Sequence, residues 1–396
     1  PMNAFTSPIE RQRVTPGTIG IIGSGAMGSG IAQVAAAAGN HVVLIDQDAT
    51  ALDRSAAALK KVMDRLVEKG RMTGEDATAL QSRIVHTTSM EALAPCALVI
   101  EAIVERLDVK QSVFAEVESV VGADAVLATN TSSLSVTAIA RALRVPERMV
   151  GLHFFNPAPL MPLVEVIPAL QTEEGLAAAC VELMASWGKS PALAKDTPGF
   201  IVNRVARPFY GEALRIVEEG IADMATVDEA MRAAGFRMGP FELMDFIGND
   251  VNYAVTESVF AAMYFDPRYR PSLVQKRHAE AHWLGRKTGR GYYDYQEGAV
   301  RPEPVSDPEL HRRIQDRVIA MLINEAFDAV HMNICSEADV ETAMTRGVNY
   351  PKGLVAWGRE RGLGATVAEL DALSARYGED RYRCCPLLRE AAAQEA

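Results

Sequence analysis

The chain has 396 residues, of which 48% are hydrophobic and 23% are charged, and its formal net charge is -11 at pH 7. These values are ordinary for a globular protein of two or three domains, and the negative charge argues against nucleic acid or an anionic membrane as the main partner. The five cysteines form no CxxC pair, so we predict no metal site, no disulfide framework and a cytoplasmic location. We find no membrane-spanning run or signal peptide, and we expect about the first fifteen residues to be mobile.

A dinucleotide-binding βαβ unit is predicted from Thr18 to Asp48. An apolar strand, TIGII, leads into the run Gly23-Ser24-Gly25-Ala26-Met27-Gly28, which opens a helix of small residues. In such a turn the first glycine permits the tight bend, the second lets the backbone approach the pyrophosphate, and the third allows close helix–strand packing. The amides at the helix N-terminus, including those of Ala26 and Met27, would face the phosphates. The alternative is a glycine-rich turn that binds no cofactor.

The second strand, HVVLID, ends at Asp46, 18 residues after Gly28. An acid at about this distance binds the ribose hydroxyls, and its charge repels a 2′-phosphate. The sequence therefore predicts NAD rather than NADP as the cofactor.

Two further buried strands, ALVIEAIV (97–104) and AVLATNTSSLS (125–135), run out into polar residues. Ligands of a parallel sheet gather at the carboxyl ends of its strands, so we expect Glu105, Lys110, Asn130 and Ser132 to face the cofactor cleft. For Glu105 and Lys110, solvated charges at the start of a helix are the alternative. For Ser132 taken alone, the alternative is helix capping.

The segment GLHFFNPAPLMPLVEV (151–166) places one histidine and one glutamate in two short apolar stretches, separated by a stiff loop with three prolines. We predict two strands side by side, with His153 and Glu165 as cross-strand neighbours. A buried glutamate is costly without a partner, so a satisfied core pair is one interpretation. The other is a catalytic dyad, in which Glu165 orients the ring and His153 exchanges a proton with a substrate hydroxyl.

Five motifs together resemble the L-3-hydroxyacyl-CoA dehydrogenase family over roughly residues 17 to 295: GSGAMG, EAIVERLDVK, NTSSLS, GLHFFNPAPLMPLVEV and DTPGFIVNR. The resemblance implies NAD-dependent oxidation of a 3-hydroxyacyl-CoA to a 3-oxoacyl-CoA. It also implies roles for matching residues: His153 as catalytic base and acid, Glu165 as its partner, Ser132 and Asn203 at the substrate, Glu105 and Lys110 near the nicotinamide, and Asn156 in shaping the site. Lys60 and Lys61 would meet the phosphates of CoA, as the family's helical arm does, unless they belong to a solvated helix face.

The C-terminal half contains an internal repeat at a constant offset of 113 residues. Arg204 matches Arg317, Glu212 matches Glu325, and the triplet RYR at 268–270 recurs at 381–383. We therefore predict an α/β Rossmann-type NAD-binding domain at 17–197, followed by two all-α modules, a substrate-side copy at 198–296 and a structural copy at 309–396. The second copy has Asp316 where the first has Asn203. We expect it to supply, within one chain, the contact through which single-module relatives pair, and a homo-oligomer remains possible.

The helical repeat and the stretch DTPGFIVNRVARPFYGEAL make the chain most similar to bacterial members of the phenylacetate route, which act on 3-hydroxyadipyl-CoA; a 3-hydroxybutyryl-CoA substrate stays open. A distal carboxylate would require a basic group, and Arg207 or Arg237 could provide it, unless each is solvated. With fewer than twenty residues before the dinucleotide fold, we expect a monofunctional enzyme. The rival functions are dehydrogenation of a free hydroxy or sugar acid and a silent NAD-binding scaffold.

Overall fold

The computed structural model describes residues 17–395. The described residues form two compact units: the first takes 17–131, 136–161 and 168–189, and the second takes 132–135, 162–167 and 190–395. The expectation about the first fifteen residues lies outside the described residues.

The first unit alternates strands with helices, as the sequence predicts. Within the described residues its strands are β1 (Thr18–Ile22), β2 (His41–Ile45), β3 (Ile84–Thr87), β4 (Cys96–Glu101), β5 (Val126–Thr129) and β6 (Met149–Phe154). Its helices are α1 (Ala26–Ala37), α2 (Ala49–Glu68), α3 (Gly74–Ser82), α4 (Leu107–Val120), α5 (Val136–Ala140) and α6 (Leu176–Ser186).

These six strands lie in the order β3-β2-β1-β4-β5-β6, and all neighbouring pairs are parallel. Ile22 pairs with Ile45 on one side and with Glu101 on the other, so β1, β2 and β4 end at the same edge. The strand order reverses between β1 and β4, which is the switch point where doubly wound sheets bind ligands. The strands are apolar because both faces are covered by helices; Ile21, Val99 and Leu127 are fully buried.

The second unit is mostly helical. It contains two parallel strands, β7 (Leu163–Pro168) and β8 (Ser190–Leu193); residues 163–167 of β7 belong to this unit. Its helices are α7 (Val202–Val205), α8 (Arg207–Glu218), α9 (Met224–Ala233), α10 (Pro240–Ile247), α11 (Asn249–Ala262), α12 (Leu273–Glu280), α13 (Pro308–His331), α14 (Glu337–Gly347), α15 (Leu354–Arg361), α16 (Leu363–Tyr377) and α17 (Pro386–Glu395).

The repeat is visible in the order of these helices. The first residues of α9 and α14, Met224 and Glu337, are 113 positions apart, and so are those of α12 and α17, Leu273 and Pro386. The fold class is thereby confirmed: a Rossmann-type sheet followed by two helical copies. The exact domain limits stay a prediction.

A buried glutamate of the first copy is held by residues of the second. The Glu212 carboxylate is completely buried and accepts hydrogen bonds from Arg381 Nε at 2.6 Å, Arg317 Nε at 2.9 Å and the Tyr382 hydroxyl at 3.1 Å. Charge-assisted bonds of this kind offset the cost of burying the carboxylate.

The reverse contact is built from the equivalent residues. Glu325, 113 positions after Glu212, is completely buried and accepts hydrogen bonds from Arg268 at 3.1 Å and the Tyr269 hydroxyl at 2.8 Å, while Arg204 Nε lies 3.6 Å away. The residues 113 positions after Arg204, Arg268 and Tyr269 are the three partners of Glu212, namely Arg317, Arg381 and Tyr382.

We call these two sets the glutamate clamps. Their reciprocity, in which residue i contacts j and the equivalent of j contacts the equivalent of i, is the signature of a two-fold symmetric dimer interface. Here the two sides belong to one chain. Among residues 17–395, no helix is long and apolar enough to cross a membrane.

Candidate active site

The three glycines of the predicted phosphate loop differ in what the protein itself requires of them. Gly23 has φ of 98°, and a Cβ there would lie 2.5 Å from the Ala102 carbonyl oxygen; at Gly28 it would lie 1.7 Å from the Gly23 carbonyl oxygen. A Cβ on Gly25 would meet nothing within 4 Å, and its φ of -66° suits any residue. The open space at Gly25 lies at the N-terminus of α1, where no side chain among residues 17–395 caps the amides of Ala26 and Met27. This geometry fits a pyrophosphate on the helix N-terminus.

We therefore expect Gly25→Val to weaken cofactor binding without a loss of stability, and Gly28→Ala to lower stability. The Gly25→Val protein should keep the melting temperature of the unmodified chain and bind NADH about 10- to 100-fold more weakly, because its side chain fills the space for the phosphates. Gly28→Ala should lower stability by about 3 kcal/mol or more, because backbone must move. Calorimetry and NADH fluorescence titration measure both effects. Equal NADH affinity for Gly25→Val and the unmodified chain would contradict this use of the loop.

Asp46 lies immediately after β2. Its Oδ2 accepts hydrogen bonds from the backbone N–H and the hydroxyl of Ser24, both at 2.8 Å, and its Oδ1 accepts one from the Asp48 N–H at 3.1 Å. Partial burial acts to raise the pKa of Asp46, but the bonds from Ser24 and Asp48 lower it below its ordinary value. The group is therefore an ionised acceptor beside the glycine loop, as a ribose-binding acid must be.

The carboxyl end of β4 carries a buried charge cluster that the sequence only partly revealed. Lys110 is 1% exposed, so the alternative of a solvated helix-start charge is wrong for it. Its Nζ lies 2.5 Å from Glu101 Oε1 and 3.3 Å from Glu105 Oε2. The other oxygen of Glu101 accepts a hydrogen bond from the Thr129 hydroxyl at 2.7 Å. Sequence reasoning missed Glu101, although an acid inside the apolar run ALVIEAIV was a signal for a buried partner.

Asn130 connects this edge of the sheet to the strand of the predicted catalytic histidine. Its Oδ1 accepts a hydrogen bond from the Phe154 N–H at 2.8 Å. His153, one residue earlier on β6, is 6% exposed, and its ring centroid lies 4.5 Å from that of Phe155. The imidazole is thus held in a tightly packed strand.

Glu165 lies on β7 and is completely buried. Its Oε1 accepts hydrogen bonds from the backbone N–H groups of Ile201 at 3.0 Å and Val202 at 2.9 Å, at the N-terminus of α7. Asn203 is the second residue of that helix. Glu165 therefore fixes the segment that carries Asn203, a contact that the sequence did not predict.

Ser132 and Asn203 are brought together by the second unit. Both line one small cavity, whose wall also includes Gly199 and, from α11, Val255 and Val259. A hydroxyl and a carboxamide that converge on one cavity are neutral hydrogen-bonding groups, and they suit an oxygen that alternates between hydroxyl and carbonyl.

The other predicted site residues are not among those that line this cavity. Lys60 and Lys61 are exposed on α2, where Lys60 pairs with Asp64 at 2.7 Å, and Asn156 is exposed in the loop after β6. Arg207 is buried, so its solvated alternative is wrong, whereas Arg237 is exposed. The roles of all these residues, and the pairing of His153 with Glu165, stay predictions.

Comparison with known proteins identifies relatives of both parts of the chain. Residues 18–197 match the family model described as 3-hydroxyacyl-CoA dehydrogenase, NAD binding domain. Residues 199–295 and 314–396 both match the model described as 3-hydroxyacyl-CoA dehydrogenase, C-terminal domain.

Among individual relatives, 3-hydroxyadipyl-CoA dehydrogenase of Escherichia coli is 39% identical, over 96% of this chain and 98% of the relative. A 3-hydroxybutyryl-CoA dehydrogenase of Bradyrhizobium diazoefficiens is 42% identical, over 72% of this chain and 97% of the relative. A crystal structure described as 3-hydroxybutyryl-CoA dehydrogenase from E. coli superimposes with a TM-score of 0.90, at 39% identity, over 96% of this chain and 99% of that one.

Proposed function

The chain belongs to the 3-hydroxyacyl-CoA dehydrogenase family and is an NAD-dependent oxidoreductase, and we propose that it oxidises a short (S)-3-hydroxyacyl-CoA through His153, Glu165, Ser132 and Asn203. When bound, NAD would supply the acceptor for the hydride that leaves C3 of the substrate. The residues that would hold it are the glycine loop with Ala26 and Met27, Asp46 for the ribose, and Glu105 and Lys110 toward the nicotinamide. Asn130 would face the cofactor cleft, and Asn156 would help to shape the site.

The proton chemistry belongs to the chain. His153 takes the proton of the C3 hydroxyl as a carbonyl forms, and it returns this proton in the reverse direction. Ser132 and Asn203 bind the C3 oxygen in both of its states without placing a fixed charge on it. Glu165 orients the imidazole ring and keeps α7, and with it Asn203, in position.

The observation that carries the proposal is the cavity that Ser132 and Asn203 line together. Asn203 lies on a helix whose N-terminus is fixed by Glu165. A silent NAD-binding scaffold would need neither the convergent neutral groups nor the buried carboxylate behind them.

The test is oxidation of NADH by the purified protein, followed by absorbance, with acetoacetyl-CoA as substrate and free acetoacetate as the control. We expect turnover with the thioester only. Turnover with free acetoacetate would favour a dehydrogenase of free hydroxy acids, and the absence of turnover with acetoacetyl-CoA and with longer 3-oxoacyl thioesters would contradict the proposal.

The remaining parts of the proposal concern partners and location. We propose that Lys60 and Lys61 meet the phosphates of CoA, that the protein acts in the cytoplasm without a nucleic-acid or membrane partner, and that the helical copies support any homo-oligomer that forms.

A further inference from the structure

Arg207, the first residue of α8, is a buried cation that uses little of its hydrogen-bonding capacity. Its side chain is 7% exposed, its Nη1 donates to the Thr256 hydroxyl at 3.1 Å, and its Nε is buried without a partner. A guanidinium carries five N–H donors, so most of them are unused by the described residues. Burial lowers the pKa of Arg207, which reflects the cost of keeping this charge away from water.

The other buried arginines of the described chain are all paired with acids. There are five of these arginines, and each has a carboxylate oxygen within 3.6 Å of a guanidinium nitrogen: Arg148, Arg204, Arg268, Arg317 and Arg381. Arg207 has no ion pair among residues 17–395; its neighbours are the Tyr210 ring, 4.9 Å from Cζ, and the Tyr350 phenol. Because a buried charge is costly unless it is paired, the missing counter-ion points to an anion from outside residues 17–395.

The cavity next to Arg207 has matching electrostatics. Its charged lining residues are all cationic, namely Arg207, Arg268 and Arg270, and its other polar lining groups are neutral. Arg268 is neutralised by Asp266 and Glu325. Arg270 is 54% exposed and lies 3.9 Å from Glu379, so Arg207 is the buried arginine available to a ligand.

Arg207 is also placed close to the predicted reaction centre within the second unit. It follows Asn203 by four residues, with Asn203 in α7 and Arg207 as the first residue of the next helix, α8. Its partner Thr256 lies on α11 next to Val255, which lines the cavity of Ser132 and Asn203. A 3-hydroxyadipyl chain carries its terminal carboxylate three carbons beyond C3, so it requires a carboxylate-binding group a short distance from the residues that bind the C3 oxygen.

We propose that Arg207 binds the terminal carboxylate of a dicarboxylic 3-hydroxyacyl-CoA and thereby selects such substrates over monocarboxylic ones of similar length. The inference rests on the proposed function and adds the substrate class. Planar guanidinium groups bind carboxylates through two parallel hydrogen bonds, which gives geometry as well as charge. The relatives carry both an adipyl and a butyryl name, so the family alone leaves this choice open.

The test compares Arg207→Met with the unmodified protein on 3-oxoadipyl-CoA and acetoacetyl-CoA. We expect the ratio of kcat/KM for the adipyl over the butyryl-length substrate to fall about 10- to 100-fold, mainly through KM for the adipyl substrate. The melting temperature should not fall, because methionine removes an unpaired buried charge and keeps the apolar stem.

Two further variants make the result decisive. Arg346→Met removes an exposed arginine of α14 in the same unit and should leave the substrate ratio unchanged. Arg207→Lys keeps a cation without the planar fork and should give an intermediate ratio. An unchanged ratio in Arg207→Met, or an equal loss on both thioesters, overturns the inference while leaving the proposed function intact. If the unmodified protein turns over neither thioester, the proposed function itself fails.

Discussion

Replacing His153 with glutamine is expected to lower kcat for acetoacetyl-CoA reduction by about 10²- to 10⁴-fold, because the amide can hydrogen-bond but cannot exchange a proton. The side chain is nearly fully buried on β6, and glutamine is close to histidine in size, so the strand should keep its packing. Steady-state NADH oxidation gives kcat, and NADH fluorescence titration shows whether cofactor binding is preserved.

The matched control is His331→Gln, an exposed histidine at the end of α13, which should leave kcat unchanged. A drop of less than tenfold in His153→Gln, with folding and NADH binding intact, would remove His153 from the proton-transfer role. A drop that is accompanied by lost NADH binding would instead show that this residue supports the fold of the first unit.

Replacing Glu212 with glutamine is expected to reduce the free energy of unfolding of the second unit by about 3–5 kcal/mol. Arg381 would stay buried without its carboxylate partner, and Arg317 would lose the shorter of its ion pairs. Urea denaturation at pH 7, followed by circular dichroism, measures the change. Glu337→Gln is the control, because its ion pair with Arg359 is about half exposed and should contribute less than about 1 kcal/mol.

The same variant has a defined pH dependence. Burial acts to raise the pKa of Glu212, but Arg381 and Arg317 lower it from 4.5 to about 2. Because the folded-state pKa is below the unfolded one, the stabilisation is complete above the unfolded value of 4.5 and is lost as the pH falls toward 2. The stability difference between the unmodified chain and Glu212→Gln should therefore shrink between pH 6 and pH 3. A constant difference would show that the charge of Glu212 is not what stabilises the clamp.

Features with a local sequence signal were predictable. The glycine loop and Asp46 follow from the periodicity of a βαβ unit, and the strands that carry His153 and Glu165 follow from two apolar runs around a proline-rich loop. These patterns are local because strand and turn preferences depend on neighbouring residues.

Features that depend on tertiary packing were not predictable. The offset of 113 revealed equivalent residues in the two copies, but it did not predict that Glu212 of the first copy contacts Arg317 and Arg381 of the second. An arginine at the start of a helix is usually solvated, so nothing near Arg207 in sequence signals burial among Tyr210, Thr256 and Tyr350. The Lys110–Glu101 pair joins a helix to a strand, and only the packing between them brings the two charges together.

The first glutamate clamp also determines when the protein can finish folding during its synthesis. The partners of Glu212 follow it by 105 to 170 residues in the chain. At ribosomal rates of about 5–20 residues per second, the last of them is made roughly 10 to 30 s after Glu212 itself. Until then the first helical copy carries a carboxylate that cannot be buried without loss, so this copy should wait, incompletely packed, for its counterpart. Because both copies are joined in one chain, that counterpart arrives at a fixed, high effective concentration and does not depend on encountering a second molecule.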